Sequence, residues 1–177
     1  MEYTLNELVV EWKTRKGLTP LRVDAAVTRH DAFEIDEYAA RVIRQWYEEL
    51  LDTADVALLD VDDITDKVTI DECAGGVAVM RLPEGCRRLV EVTMSQWKGP
   101  ATLVTDPGSE AALRQRSVYT RGGACRPVAV HEAARRVRLY SFRGTEVPAA
   151  VRVLAVMTPP DGVIRCSPRA LASLFKS

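Results

Sequence analysis

Two histidines, His30 and His131, each stand beside a carboxylate, Asp31 and Glu132. An imidazole next to a carboxylate has the makings of a general base, but such a base also needs a positioned third group. Neither neighbourhood supplies one: His30 falls in a connector and His131 at the end of a hairpin strand, where both read as solvated polar residues. No HExxH, GxSxG or paired CxxC occurs. The run Asp60-Val61-Asp62-Asp63-Ile64-Thr65-Asp66 opens like an oxygen-ligand loop for calcium. Thr65 stands where that loop requires glycine, and Glu72 alone sits near its closing position, so the run reads as a solvated loop capping a sheet. Gly75-Gly76 and Gly122-Gly123 lack the glycine spacing of a phosphate cradle. The chain is therefore expected not to be an enzyme, with no catalytic, cofactor or metal site and no small-molecule substrate.

The residues most suited to recognition are the arginines Arg114, Arg116, Arg121, Arg126, Arg135, Arg136 and Arg138. A planar guanidinium fork matches carboxylates and phosphates better than mere solubility demands, so these seven are the candidate interface. A nucleic-acid platform needs aromatic rings interleaved with its cations, and only Tyr119, Tyr140 and Phe142 are near. A protein interface is favoured over a small nucleic-acid-binding module using Arg114–Arg138, and a plain solvated surface is the third alternative, comparable to both.

With 24 basic and 25 acidic residues the chain is near neutral, which offers no global attraction to nucleic acid or anionic lipid. Its charge is unevenly spread: residues 1–80 hold 8 Lys/Arg against 18 Asp/Glu, a net −10, and residues 81–177 hold 16 against 7, a net +9. Such halves either cancel within one copy or meet between copies, head to tail, which closes into a ring when the rotation permits.

The cysteines Cys73, Cys86, Cys125 and Cys166 are far apart in the sequence and are expected as buried free thiols. Nothing at the start resembles a secretory signal, and no segment approaches the ~18 apolar residues needed to span a bilayer. A reducing interior is expected, either a cytoplasm or a particle assembled there, with no membrane partner.

These residues must be positioned by helices first and strands afterwards. Thr4 and Glu7 have capping-box spacing, Leu5, Leu8, Val9 and Trp12 share one face, and Gly17 suits the stop. After a connector from Leu18 to His30, residues 33–51 carry the strongest helical period, through Ile35, Ala39, Val42, Ile43, Trp46, Tyr47, Leu50 and Leu51. Beyond Asp66 the period falls to two. Strands are expected around 68–70, 77–82, 88–97, 101–104, 126–131, 137–142, 147–157 and 163–166, joined by connections that read as antiparallel. A brief helix follows Ser109, and Ser167-Pro168 opens a last one reaching Phe175. The expected architecture is α+β: one domain over 1–177, with a helical part (1–60), a mostly antiparallel sheet or sandwich (67–166) and a short terminal helix (167–177).

The order of these elements, with Arg81-Leu82-Pro83-Glu84-Gly85-Cys86-Arg87-Arg88-Leu89-Val90-Glu91-Val92 entering a sheet, Arg126-Pro127 opening a hairpin and Ser167-Pro168 opening a terminal helix, resembles the head-to-tail adaptor proteins of short-tailed bacteriophages, the tail-tubular A type. The similarity spans residues 30–175, and the closing helical segment is shorter than is common in those adaptors. It implies a structural virion protein assembled in the bacterial cytoplasm. It also implies a homo-oligomeric ring that binds the portal and tail proteins, with no cofactor and no turnover.

Overall fold

Thr4 ends one element and begins the next. It closes strand β1 (Glu2–Thr4) and caps helix α1 (Leu5–Arg15), its hydroxyl accepting from the Glu7 amide at 3.3 Å while the Glu7 carboxylate accepts from the Thr4 amide at 2.9 Å. These mutual bonds satisfy two of the amides a helix start leaves free. The computed structural model describes residues 1–18, 29–132, 135–144 and 146–175, with side chains for all of these except 29–34, 72 and 73. Most of the expected connector before His30, including Pro20, lies outside the described residues. Its last two positions, Arg29 and His30, already belong to helix α2 (Arg29–Thr53).

The chain divides into two units, one made of residues 1–60 and 158–177 and the other of residues 61–157. In the first unit α1 and α2 pack together, burying Leu8, Trp12, Ala39, Ile43, Tyr47 and Leu51. Strand β10 (Val163–Arg165) and helix α4 (Pro168–Leu174) return to this unit. β10 pairs antiparallel with β1, in the register Tyr3 opposite Ile164. Residues 158–166 are thus partners of the N-terminal helices, whereas the sequence reading grouped them with the β part. β1 itself was not expected.

The second unit holds the remaining strands: β2 (Asp62–Asp63), β3 (Thr69–Ala74), β4 (Val77–Arg81), β5 (Cys86–Met94), β6 (Thr102–Val104), β7 (Val128–His131), β8 (Arg136–Tyr140) and β9 (Ala150–Met157). They form a three-stranded sheet in the order β2-β9-β5 and a five-stranded sheet in the order β3-β4-β8-β7-β6. Alternating residues from both sheets, among them Met80, Val92, Met94, Val137, Leu139, Val153 and Ala155, form one buried core. The α+β class with a largely antiparallel sheet and a short closing helix is as expected, and β9 is central in its sheet.

Two local readings change. β6 and β7 run parallel, because residues 105–127 are long enough to carry the chain back to the starting end of the sheet, with helix α3 (Glu110–Gln115) inside that excursion. Within the acidic run, Asp62 and Asp63 are strand, opposite Ala155 and Leu154. No helix among the described residues is long and apolar enough to cross a membrane.

Candidate protein interface

The excursion between β6 and β7 is built from its ends. Asp106 folds back on itself, accepting from the Gly108 amide at 2.8 Å, and Ser109 caps α3. Ala112 packs against Val130 and Tyr140 on the outer face of the five-stranded sheet, with Val77, Val104 and Val128 beside them. Beyond α3 the chain leaves the sheet and returns at Arg126.

Arg121 seats this loop. Its Nε donates to the Gln115 carbonyl and its Nη1 to the Gly75 carbonyl, each at 2.7 Å, and its guanidinium lies 5.4 Å from the centre of the Tyr140 ring. Both glycine pairs serve the same seat. A Cβ on Gly76 would stand 2.9 Å from the Phe142 carbonyl oxygen and 3.2 Å from Arg121 Nη1, and one on Gly122 would stand 2.4 Å from the Arg126 carbonyl oxygen. Neither site has room for a side chain, which is what glycine is for where backbones approach closely. Beneath the loop the Trp97 indole donates to the Tyr140 carbonyl at 3.1 Å and stacks on Phe142 at 5.2 Å. Held this way at its base, the loop presents Val118 at 69% and Tyr119 at 98% exposure, and the neighbouring Leu113 of α3 is also exposed.

The seven arginines do not form one patch. Arg114, Arg116, Arg121 and Arg126 belong to α3 and its loop, at the Tyr140 end of β8, whereas Arg135 and Arg136 stand at the other end. The ends of β8, Arg136 and Tyr140, are four residue steps apart, about 13 Å at the usual rise. Arg138 lies between them and pairs with Glu132 at 2.9 Å. Arg114 pairs with Glu110 along its own helix at 2.6 Å. Arg121 is spent on backbone carbonyls and anchors the loop; Arg114 and Arg116 precede the exposed tip.

The remaining candidates disperse. His131 ends β7 beside Arg87, Arg88 and Thr105 in a shallow, mostly apolar pocket, and His30 belongs to the other unit. Asp63 accepts from the Thr65 amide at 2.9 Å and the Thr65 hydroxyl at 2.5 Å, bonds that hold its carboxyl below the usual range. Among the described residues no group of three or more His, Cys, Asp or Glu is placed to hold a metal ion. Cys86, Cys125 and Cys166 are free thiols; Cys166 is buried, Cys86 half-buried and Cys125 exposed, and the side chain of Cys73 lies outside the described set. Burial raises the Cys86 thiol and pushes Cys166 up to about 11, so both are held protonated.

Sequence reasoning passed over Val118 as a surface residue; it reads both glycine pairs as turns, but not as parts of the Arg121 seat. Their signal was a tyrosine and a valine inside an arginine-rich stretch bounded by Gly-Gly. Compared with known proteins, the chain matches no family model and no curated protein.

Proposed function

We propose that the chain is a structural, non-enzymatic subunit that assembles with copies of itself through the loop tip at Val118 and Tyr119. On the adaptor-like order of its elements, we propose further that the assembly is a ring at a phage head-to-tail junction, in contact with the portal and tail proteins. The observation that carries the reading is the presentation of Tyr119. A fully exposed tyrosine and an exposed valine, preceded by Arg114 and Arg116 and held by the Arg121 seat, have the composition of an interface hot spot and a preformed base. An ordered aromatic left in water gains by burial against a partner.

Of the three rings near the arginines, Tyr140 and Phe142 are buried, which leaves Tyr119 to stack on a base. A single-stranded nucleic-acid platform uses several such rings, so a protein partner fits better.

Sedimentation and native mass analysis at low salt test the reading. Oligomers are expected for the wild type, and Tyr119→Ala should weaken association about tenfold or more with the fold intact. A chain that remains monomeric at high concentration, with or without a portal protein, overturns it. Salt-sensitive binding to an oligonucleotide that is lost with Arg114 and Arg116 would replace it with the nucleic-acid reading.

A further inference from the structure

A second cationic site lies at the opposite end of β8, and the reading of the loop neither requires nor implies it. β3, β4 and β8 bring Thr69, Arg81 and Arg136 into one row, Thr69 directly opposite Arg81 and Arg81 directly opposite Arg136. Lys67 precedes β3 at the end of a short 3-10 turn, and the Leu82 amide donates to the Arg135 carbonyl at 2.8 Å, drawing the β7–β8 connection alongside. The result is an open pocket of about 400 Å³ lined by Lys67, Thr69, Arg81, Leu82, Arg135 and Arg136. No carboxylate is among its described lining residues. Asp71 holds the Nε of Arg81 from the side, so four cations face one carboxylate.

Like charges directly across a strand pair oppose folding, and arginines placed so are a cost to the sheet unless an anion lies between them. We infer that this pocket binds a phosphate-type oxyanion, free or as a phosphodiester. Two guanidinium forks, a third arginine partly held by Asp71, a compact ammonium and a hydroxyl supply donors in several directions, which suits an anion with several oxygens around one centre. A doubly charged phosphate also matches the net positive charge better than a single carboxylate.

Thermal unfolding of the full chain, in inorganic phosphate and in chloride at equal ionic strength, tests the inference. General salting effects of phosphate act on wild type and variants alike, so the difference between them reports the site. Phosphate at ten times its Kd should raise the wild-type Tm by about 3 °C more than that of Arg136→Thr. In chloride at low ionic strength Arg136→Thr should melt above the wild type, because the cross-strand repulsion is gone. Lys67→Ala, outside the strands, should lose most of the phosphate response without altering register. A short oligonucleotide that competes with phosphate identifies the phosphodiester as the source, and one that does not identifies free phosphate. Equal phosphate responses in wild type and both variants, or an Arg136→Thr that melts below the wild type in chloride, would overturn the assignment.

Discussion

At the scale of single residues, the arginines show how little a residue type says about its use. Arg121 and Arg116 are close in the chain, yet one is bonded to two main-chain carbonyls and the other is exposed. The difference is geometric: Arg121 falls where Gly76 leaves room beside its Nη1 and the Gly75 carbonyl accepts from it. Lysine keeps the charge but has no fork to reach two carbonyls in different directions. Arg121→Lys is therefore expected to destabilise the protein by about 1–3 kcal/mol and to expose the loop to protease, because one carbonyl loses its charged donor. Urea unfolding together with limited proteolysis checks this, and an unchanged cleavage rate at residues 116–126 would show that the seat is not what holds the loop.

At the scale of elements, the seam between α2 and β10 rests on one phenol. The Tyr47 hydroxyl donates to the Arg165 carbonyl and accepts from the Arg165 amide, both at 3.1 Å, so a helix and a strand share a partly buried hydrogen-bonded pair. Burial raises the Tyr47 hydroxyl above its ordinary value, and neighbouring Cys166 is raised from 9.0 to about 11 for the same reason. Both groups are neutral when protonated, and both keep their protons in the fold to a higher pH than in the unfolded chain. The unfolded chain then sheds protons first as pH rises, so the Cys166 contribution is complete below about pH 9 and is lost as pH approaches about 11, and the Tyr47 contribution is lost in the same direction at alkaline pH. Urea midpoints measured by helical circular dichroism should fall across that window, and less steeply in Cys166→Ala. A flat profile would mean that neither group is buried as described.

Element types were the part of the fold most open to reading. Caps at Thr4, Ser109 and Ser167 and the period of α2 depend on residues within four positions of each other, and all appear where expected. The parallel pairing of β6 with β7 and the strand character of Asp62–Asp63 were not legible, because strand partners are chosen by faces that must be buried together. The same holds for the site. The arginines were visible as a group, but their division between the two ends of β8 follows from strand direction alone.

At the scale of the molecule, the units redraw the charge map. Residues 1–60 with 158–177 hold 10 basic against 14 acidic residues, a net −4, and residues 61–157 hold 14 against 11, a net +3. The contrast of −10 and +9 between sequence halves is thus more than halved, since the acidic run from Asp62 to Glu72 belongs to the β unit and Arg165 and Arg169 to the helical one. Long-range attraction between copies is correspondingly weaker, and the assembly proposed above draws more on the Tyr119 tip than on opposite fields. Among the described residues the core of the β unit, from Ile64 to Ala155, draws on 61–157 alone, whereas the helical unit buries Ile164, Ala170, Leu171 and Leu174 from residues 158–177. Removing residues 158–177 should therefore abolish most helical circular dichroism while the near-ultraviolet signal of Trp97, stacked on Phe142, persists. Loss of both signals together would show that the β unit depends on the removed segment.

The amino-acid sequence by itself determined the kinds and order of the elements and the absence of familiar catalytic motifs, since both depend on neighbours a few positions apart. Only the tertiary structure decided which strands pair, which arginines are spent on carbonyls, and that the last residues join the first. Those outcomes depend on which apolar faces can be buried at once, a condition on residues far apart in the chain that no local period expresses.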